Sequence, residues 1–162
     1  AARRIGVDLR RQSGDELDAG VRFVQAPATD LGAIDAASVD VAFTSNFLEH
    51  LESKAELLAV LAEVHRVLRP EGRFVILGPN IRCVGGAYWD FLDHHLPLTE
   101  ASVAEALVLA GFRVESARAR FLPYSTKSRL PQAPWLVALY LRVPLAWRLL
   151  GQQFLVIGRR GP

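Results

Sequence analysis

Short β-branched runs alternate with segments of helical periodicity along this chain, and this alternation restricts its fold more than any other feature. Six runs are typical of strands, because each is bounded by glycine, proline or polar turn residues. They cover residues 4–8, 21–25, 39–44, 73–77, 112–117 and 154–158. Strands that alternate with helices in this order form an α/β sheet, mostly parallel. The sequence therefore predicts an α/β fold.

Two of the intervening segments combine helical spacing with capping residues. Ser53 and Glu56 form a capping-box pattern ahead of apolar residues that recur at helical spacing. This helix is expected to end at residues 69–72, Arg-Pro-Glu-Gly, which break helices. Thr99 can cap a second helix, and Gly111 is expected to end it in the left-handed conformation.

The length and composition fit one domain. The chain has 162 residues, of which 51% are hydrophobic and 22% charged. We expect a single domain over residues 1–162, with an irregular connection at 81–98 and a basic, aromatic helical insertion at 122–150 before the last strand. Its single cysteine, Cys83, excludes an internal disulfide and is expected to act as a small hydrophobic residue. Without a long apolar segment or a secretory signal pattern, a cytoplasmic location is expected.

Charge is distributed very unevenly along the chain. All 17 acidic residues lie at or before Glu115, whereas 8 of the 19 basic residues lie in 117–162. This basic end is a candidate surface for a phosphate-bearing or lipid-linked acceptor, or for weak contact with an anionic membrane. Nucleic acid is not favoured as a partner. The alternative, which we favour, is a pair of cover helices whose arginines extend to solvent.

Three segments in order resemble the class I S-adenosylmethionine (SAM)-dependent methyltransferases, particularly their broad small-molecule group. Residues 6–9 are similar to that family's second strand with its terminal acid. Residues 39–51 are similar to its fourth strand and Glu-His turn, and 67–76 to its helix end, Pro-Gly turn and fifth strand. The resemblance implies a Rossmann-like sheet with an antiparallel C-terminal strand, SAM as cofactor, and methyl transfer to a small-molecule or sugar- or lipid-linked acceptor.

The family's glycine-rich cofactor loop follows a first strand upstream of the Asp8 segment, and only seven residues precede Asp8 here. On this resemblance we expect an N-terminally incomplete domain in which the first strand is missing, so activity of this chain alone is open. The alternative is a non-catalytic binding or scaffold module that keeps the sheet without binding cofactor. A nicotinamide-dependent enzyme is less favoured, because it does not explain the Glu-His and Pro-Gly segments.

The resemblance also implies which residues bind the cofactor, namely Asp8, Leu9, Ala28, Ser45 and Asn46. A carboxylate at a strand end, as in Asp8, can accept hydrogen bonds from both ribose hydroxyls, although it can equally cap its own loop. Pro27 stands where the family has an acid for the adenine, so adenine binding would depend on the backbone around Ala28. Asn46 follows the third strand, where the cofactor and the acceptor would meet. Its side chain could bind one of them, or it could instead satisfy the backbone of its own turn.

Two histidines could remove a proton from an acceptor hydroxyl, because imidazole titrates near neutrality. His50 follows Glu49 in a helical turn, where neighbouring side chains point in different directions and structural roles are common. His95 belongs to the segment Asp93-His94-His95. We expect this segment to form either the lid of an acceptor pocket or a plain surface loop. Adjacent histidines rarely share one ion and no third ligand is visible at suitable spacing, so no metal site is expected.

Overall fold

The structure, a computed structural model, describes residues 3–10, 20–124 and 134–162. Its strands are β1 (Arg4–Asp8), β2 (Val21–Gln25), β3 (Val39–Ser45), β4 (Leu68–Pro79), β5 (Phe112–Arg118) and β6 (Gln153–Arg160). Its α-helices are α1 (Lys54–Val67), α2 (Ile81–Val84), α3 (Glu100–Leu109), α4 (Pro134–Leu141) and α5 (Pro144–Leu150). Two short 3₁₀ helices, Leu48–His50 and Gly85–Asp90, complete the list.

The strands form one pair and one larger sheet. β1 and β2 are parallel, and the second sheet has the order β3-β4-β6-β5. β3 is parallel to β4, whereas β6 is antiparallel to both β4 and β5. This confirms the α/β class and the antiparallel C-terminal strand. Among the residues that the structure describes, β1 pairs with β2 alone and β3 with β4 alone, so each leaves one edge without a strand partner.

The predicted helix caps are present, with one difference. The Ser53 hydroxyl accepts a hydrogen bond from the Glu56 amide at 3.1 Å, but the Glu56 carboxylate accepts from the amide of Glu52, at 2.8 Å, rather than from that of Ser53. At α3, Thr99 caps the helix as predicted, and it also exchanges reciprocal hydrogen bonds with Ser102. Gly111 has φ +88°, so the predicted left-handed residue follows that helix.

The sequence predicted that the Arg-Pro-Glu-Gly segment would separate α1 from the following strand. In the structure this segment lies within β4 instead. Val39 pairs with Leu68 and Val41 pairs with Arg73, so the register shifts across residues 69–72. Glu71 takes a left-handed φ of 66°, and a Cβ on Gly72 would lie 2.8 Å from the Arg69 carbonyl oxygen. The segment is therefore an irregularity inside the strand, because its ends keep their ladder partners.

The connection over residues 81–98 is more regular than predicted, since it holds α2 and a 3₁₀ helix. Asn80 caps α2 by accepting a hydrogen bond from the Arg82 amide at 3.1 Å. Tyr88 is fully buried, and its hydroxyl donates to the Leu96 carbonyl. These contacts hold α2 and the 3₁₀ helix in place after β4.

The core lies between the sheets and helices α1 and α3. Its fully buried members include Leu61 of α1, Ile76 of β4, Leu107 of α3 and Val156 of β6. Arg66 of α1 donates to carbonyl oxygens in the loop between β2 and β3, at 2.9 and 3.1 Å. This guanidinium attaches the β1–β2 region to the helix that covers the larger sheet.

The predicted helical segment after residue 134 is two helices, because Pro144 occupies the first turn of α5. Trp147 of α5 donates to the Tyr140 carbonyl of α4 at 2.9 Å, and the Arg118 guanidinium lies 5.1 Å from the centre of the Trp147 ring. Residues 125–133 of the predicted insertion lie outside the described residues, as do 11–19 of the first loop. Within the described ranges, no helix has both the length and the apolar character needed to cross a membrane.

Candidate functional site

A small open cleft of about 130 Å³ lies where β3 ends. One wall comes from the turn that follows β3, and the other comes from the connection after residue 90. The lining residues are Asn46, Glu49, His50, Phe91, Asp93, His94 and Tyr124. Because the walls come from segments more than 40 residues apart, the fold rather than local sequence brings these polar groups together.

Asn46 forms the first residue of the turn. Its φ of 49° is left-handed, a conformation that asparagine tolerates better than most side chains. Its amide donates to the Leu77 carbonyl of β4 at 3.1 Å, which fixes the turn to the neighbouring strand. The exposed amide side chain is therefore available at the mouth of the cleft.

Glu49 is the most buried charged residue described, with 2% of its surface exposed. Its carbonyl oxygen accepts hydrogen bonds from the His95 and Leu96 amides at 2.8 and 3.1 Å, so the connection is attached directly to the turn. The carboxylate Oε1 has no hydrogen-bond partner in the part of the chain that the structure describes. Burial in this setting raises the pKa of Glu49 above that of an exposed carboxyl.

His50 is half-buried and held by Asp93. Its Nδ1 lies 3.0 Å from the Asp93 carbonyl oxygen and 3.2 Å from the carboxylate Oδ2. A proton on Nδ1 would be donated to these oxygens, and Nε2 then carries the lone pair. The ring is thereby oriented with one nitrogen left for a ligand.

His94 is 6% exposed and packs among aromatic rings. Its ring stacks on Phe91 at 4.9 Å between centroids, and it meets the His50 ring edge-on at 5.0 Å. Burial lowers the pKa of His94, and the neighbouring His50 lowers it further. The His94 Nδ1 is buried without a hydrogen-bond partner among the described residues.

Of the two histidines predicted as bases, the structure brings one into the cleft. His50 lines it, whereas the side chain of His95 is exposed and is not among the lining residues. The neighbour, His94, takes the inward position instead. Glu49 and His50, although adjacent, do not diverge as expected, because they present ligand atoms within 4.8 Å of each other.

The residues predicted to bind cofactor occupy strand ends. Asp8 ends β1 and is exposed, and its Oδ1 accepts a hydrogen bond from the Arg10 amide at 2.9 Å. The Leu9 carbonyl accepts from the Gln25 side chain at 3.2 Å, and Ala28 packs against the core. Ser45 is the exposed last residue of β3. Only Asn46 of this set lines the cleft.

Of the lining residues, the sequence predicted only Asn46 and His50 as site residues. It indicated Asp93 and His94 only as part of a possible lid and Glu49 only as the neighbour of His50, and it gave no role in the site to Phe91 or Tyr124. The Glu-His turn was visible, but the burial of Glu49 depends on contacts with residues 95 and 96 that no local pattern encodes. For Phe91, the one signal in the sequence was the aromatic content of the connection.

The fold is similar to that of solved SAM-dependent methyltransferases. A SAM-dependent methyltransferase from Archaeoglobus fulgidus has a TM-score of 0.69 at 18% identity, over 96% of this chain and 75% of that one. One from Mesorhizobium loti has a TM-score of 0.64 at 21% identity, over 98% and 81%. The Burkholderia thailandensis 1,6-didemethyltoxoflavin-N1-methyltransferase, solved with that compound and S-adenosylhomocysteine, has a TM-score of 0.62 at 21% identity, over 99% and 62%. The fold is that of the class I SAM-dependent methyltransferases.

A match at the level of sequence agrees with the fold. Residues 3–76 match the family model for a methyltransferase domain, and no protein of curated function matches. The first part of the chain therefore matches a methyltransferase domain in sequence, and the whole described fold is similar to that of SAM-dependent methyltransferases.

Proposed function

We propose that this protein transfers the methyl group of SAM to a small-molecule acceptor held in the cleft beside β3. The convergence of Asn46, Glu49, His50 and His94 at one strand end carries the proposal, because ligands of open α/β sheets bind at the carboxyl ends of the strands. A cleft of about 130 Å³ suits a small reacting portion of an acceptor, whether free or linked to a sugar or lipid.

The groups at the strand ends fit the polar parts of the cofactor. The exposed Asp8 carboxylate, which accepts one hydrogen bond at Oδ1, retains lone pairs for the ribose hydroxyls. Ser45 and Asn46 offer hydroxyl and amide groups to the amino-acid part, while Leu9 and Ala28 would border the nucleoside. We propose these five residues as the cofactor site. Asp8→Asn, which keeps the shape and removes the charge, tests the first of them by calorimetric titration with SAM.

When bound, SAM supplies a methyl group that is already activated as a sulfonium. The protein's task is to align the acceptor's nucleophilic atom with the methyl carbon and to exclude water. As the new bond forms, the carbon–sulfur bond breaks, and a hydroxyl acceptor must give up its proton. His50, oriented through Nδ1 by Asp93, is the residue we propose to take that proton at Nε2. His95, which is exposed and adjacent in sequence to the lining residue His94, is the second candidate.

Methyl-labelled SAM, incubated with the protein and a small-molecule extract, tests the proposed reaction. Labelled product should form, and His50→Gln should reduce its rate by about 10²–10⁴-fold if His50 is the base for a hydroxyl acceptor. His95→Gln is the matched comparison, and a greater loss there would assign the base to His95. A folded protein that binds no SAM and forms no product would favour the alternative, a non-catalytic binding module.

We further propose that α4 and α5 contact an anionic lipid surface, in place of the cover helices favoured from the sequence, because many of their large apolar side chains are exposed rather than packed against the core. Trp135 and Leu149 are 69% and 71% exposed, and no acidic residue follows Glu115 in the sequence. Exposed apolar side chains together with arginines are the combination that binds such surfaces. The protein should sediment with vesicles that contain anionic lipid and not with neutral ones, and Trp135→Ser with Leu149→Ser should abolish this. Absence of sedimentation with both kinds of vesicle would overturn this second proposal.

A further inference from the structure

The geometry points to a binding site for one divalent transition-metal ion, formed by Glu49, His50 and His94 in the wall of the cleft. The sequence predicted no metal site, because adjacent histidines rarely share one ion and no third ligand stands at suitable spacing beside His94 and His95. The fold instead brings two ligands from the turn after β3, Glu49 and His50, to His94. This inference concerns ion binding and stands whether or not methyl transfer occurs.

The three side chains already converge. One ligand atom from each lies within 4.8 Å of the other two. Ligands of a tetrahedral zinc ion lie roughly 3.3 Å apart, given metal–ligand distances of about 2.0–2.2 Å. The required approach is therefore roughly 1.5 Å or less, which small rotations of the side chains can supply.

Two of the three residues also carry an unpaired buried atom. Oε1 of Glu49 and Nδ1 of His94 are both buried without a hydrogen bond among the described residues. Buried polar atoms are nearly always paired, so two unpaired ones on residues that converge in this way need an explanation. A cation between them satisfies both, since a carboxylate oxygen and a neutral imidazole nitrogen each offer a lone pair.

The third ligand is arranged in the way that metal-binding histidines commonly are. Nδ1 of His50 faces the carbonyl oxygen and carboxylate of Asp93, at 3.0 and 3.2 Å. A histidine that donates one ring N–H to a carboxylate or carbonyl presents its other nitrogen to the ion, and the partner fixes its orientation. Asp93 is thus a positioning residue for His50.

The donor set selects the class of ion. Two imidazoles and one carboxylate suit Zn²⁺ or Fe²⁺ and not Mg²⁺ or Ca²⁺, which prefer oxygen ligands. Three protein ligands leave a fourth position, and here it opens into the cleft, toward a water or an oxygen atom of the acceptor. The acceptor part of this statement rests on the proposed function. In the ion-loaded protein His50 Nε2 is a ligand and is not free to act as a base.

Titration of the metal-free 162-residue chain with Zn²⁺ tests the inference. One ion should bind per chain, and Co²⁺ in its place should give the visible absorption of a four-coordinate site. Glu49→Gln and His94→Gln should each weaken Zn²⁺ binding by more than about 100-fold, and Asp93→Asn by roughly 10–100-fold. His95→Gln is the matched control, because it removes an adjacent but exposed imidazole and should leave the affinity within about twofold.

Absence of stoichiometric Zn²⁺ binding by the folded chain would overturn the inference. Binding that survives His94→Gln but is lost in His95→Gln would overturn it equally, because the ion would then lie on the surface. Circular dichroism checks that each variant is folded, and His50→Gln replaces any variant that is not. SAM titration of the same preparation separates the two proposals, since Zn²⁺ binding without SAM binding leaves this inference standing and contradicts the proposed function.

Discussion

Replacement of Asn80 by alanine should destabilise the fold strongly. Asn80 is fully buried at the end of β4, where its Nδ2 donates to the Glu100 carboxylate at 2.6 Å and to the Ala119 carbonyl at 3.0 Å. Its Oδ1 accepts from the Arg82 amide at 3.1 Å and so caps α2. The side chain therefore joins β4, the connection over the cleft, α3 and the end of β5.

The magnitude follows from the three hydrogen bonds that are lost. A neutral bond contributes about 0.5–1.5 kcal/mol and one to a charged group about 1.5–3 kcal/mol. Two neutral bonds and one charged bond give a loss of about 2.5–6 kcal/mol. For a domain of this size, each 1 kcal/mol lowers Tm by about 2–4 °C, so a fall of roughly 5–24 °C is expected.

Urea unfolding followed by circular dichroism measures this loss, with thermal unfolding as a second readout. Asn80→Ala combined with Glu100→Gln completes a double-mutant cycle, in which the two positions should couple by about 0.5–3 kcal/mol. A loss below about 1 kcal/mol for Asn80→Ala would refute the reasoning, since it would mean that water replaces these bonds without cost.

Three further changes test other parts of the fold. Leu61→Ala, at a fully buried position, should cost about 2–5 kcal/mol in urea unfolding, and a cost below 1 kcal/mol would contradict its place in the core. Gly111→Ala should cost about 1–3 kcal/mol, because φ is +88° there, and an unchanged Tm would count against that conformation. The hydrogen bond with Arg66 lowers the pKa of Glu63, so this pair stabilises the fold above the usual carboxyl range and less as pH falls through it. Arg66→Gln should therefore destabilise the protein more at pH 7 than in acid below the lowered pKa of Glu63, where only its hydrogen bonds to the Leu31 and Ile34 carbonyls are lost, and a pH-independent difference would contradict this.

Most of the sheet could be predicted because its signals are local. The β-branched runs matched β1, β2 and β3 to within one residue, and the caps at Ser53 and Thr99 marked the starts of α1 and α3. The failure at residues 69–72 has a physical cause. Proline and glycine there do end the helix. The backbone on both sides of them nevertheless pairs with β3, and this pairing depends on the tertiary structure rather than on the local sequence.

The candidate site could be predicted in part. The turn after β3 was found from its Asn and Glu-His residues, and His50 does line the cleft. Which of His94 and His95 faces inward could not be predicted, because adjacent residues of an irregular segment have no fixed periodicity. The burial of Glu49 arises from a contact between segments about 45 residues apart, and sequence spacing carries no signal for it.

Calorimetric titration of the chain with SAM, and with S-adenosylhomocysteine, tests the central claim most directly. The account predicts binding of one molecule per chain with a micromolar Kd, weakened in Asp8→Asn and unchanged in His95→Gln. Failure of the folded chain to bind either compound would contradict it.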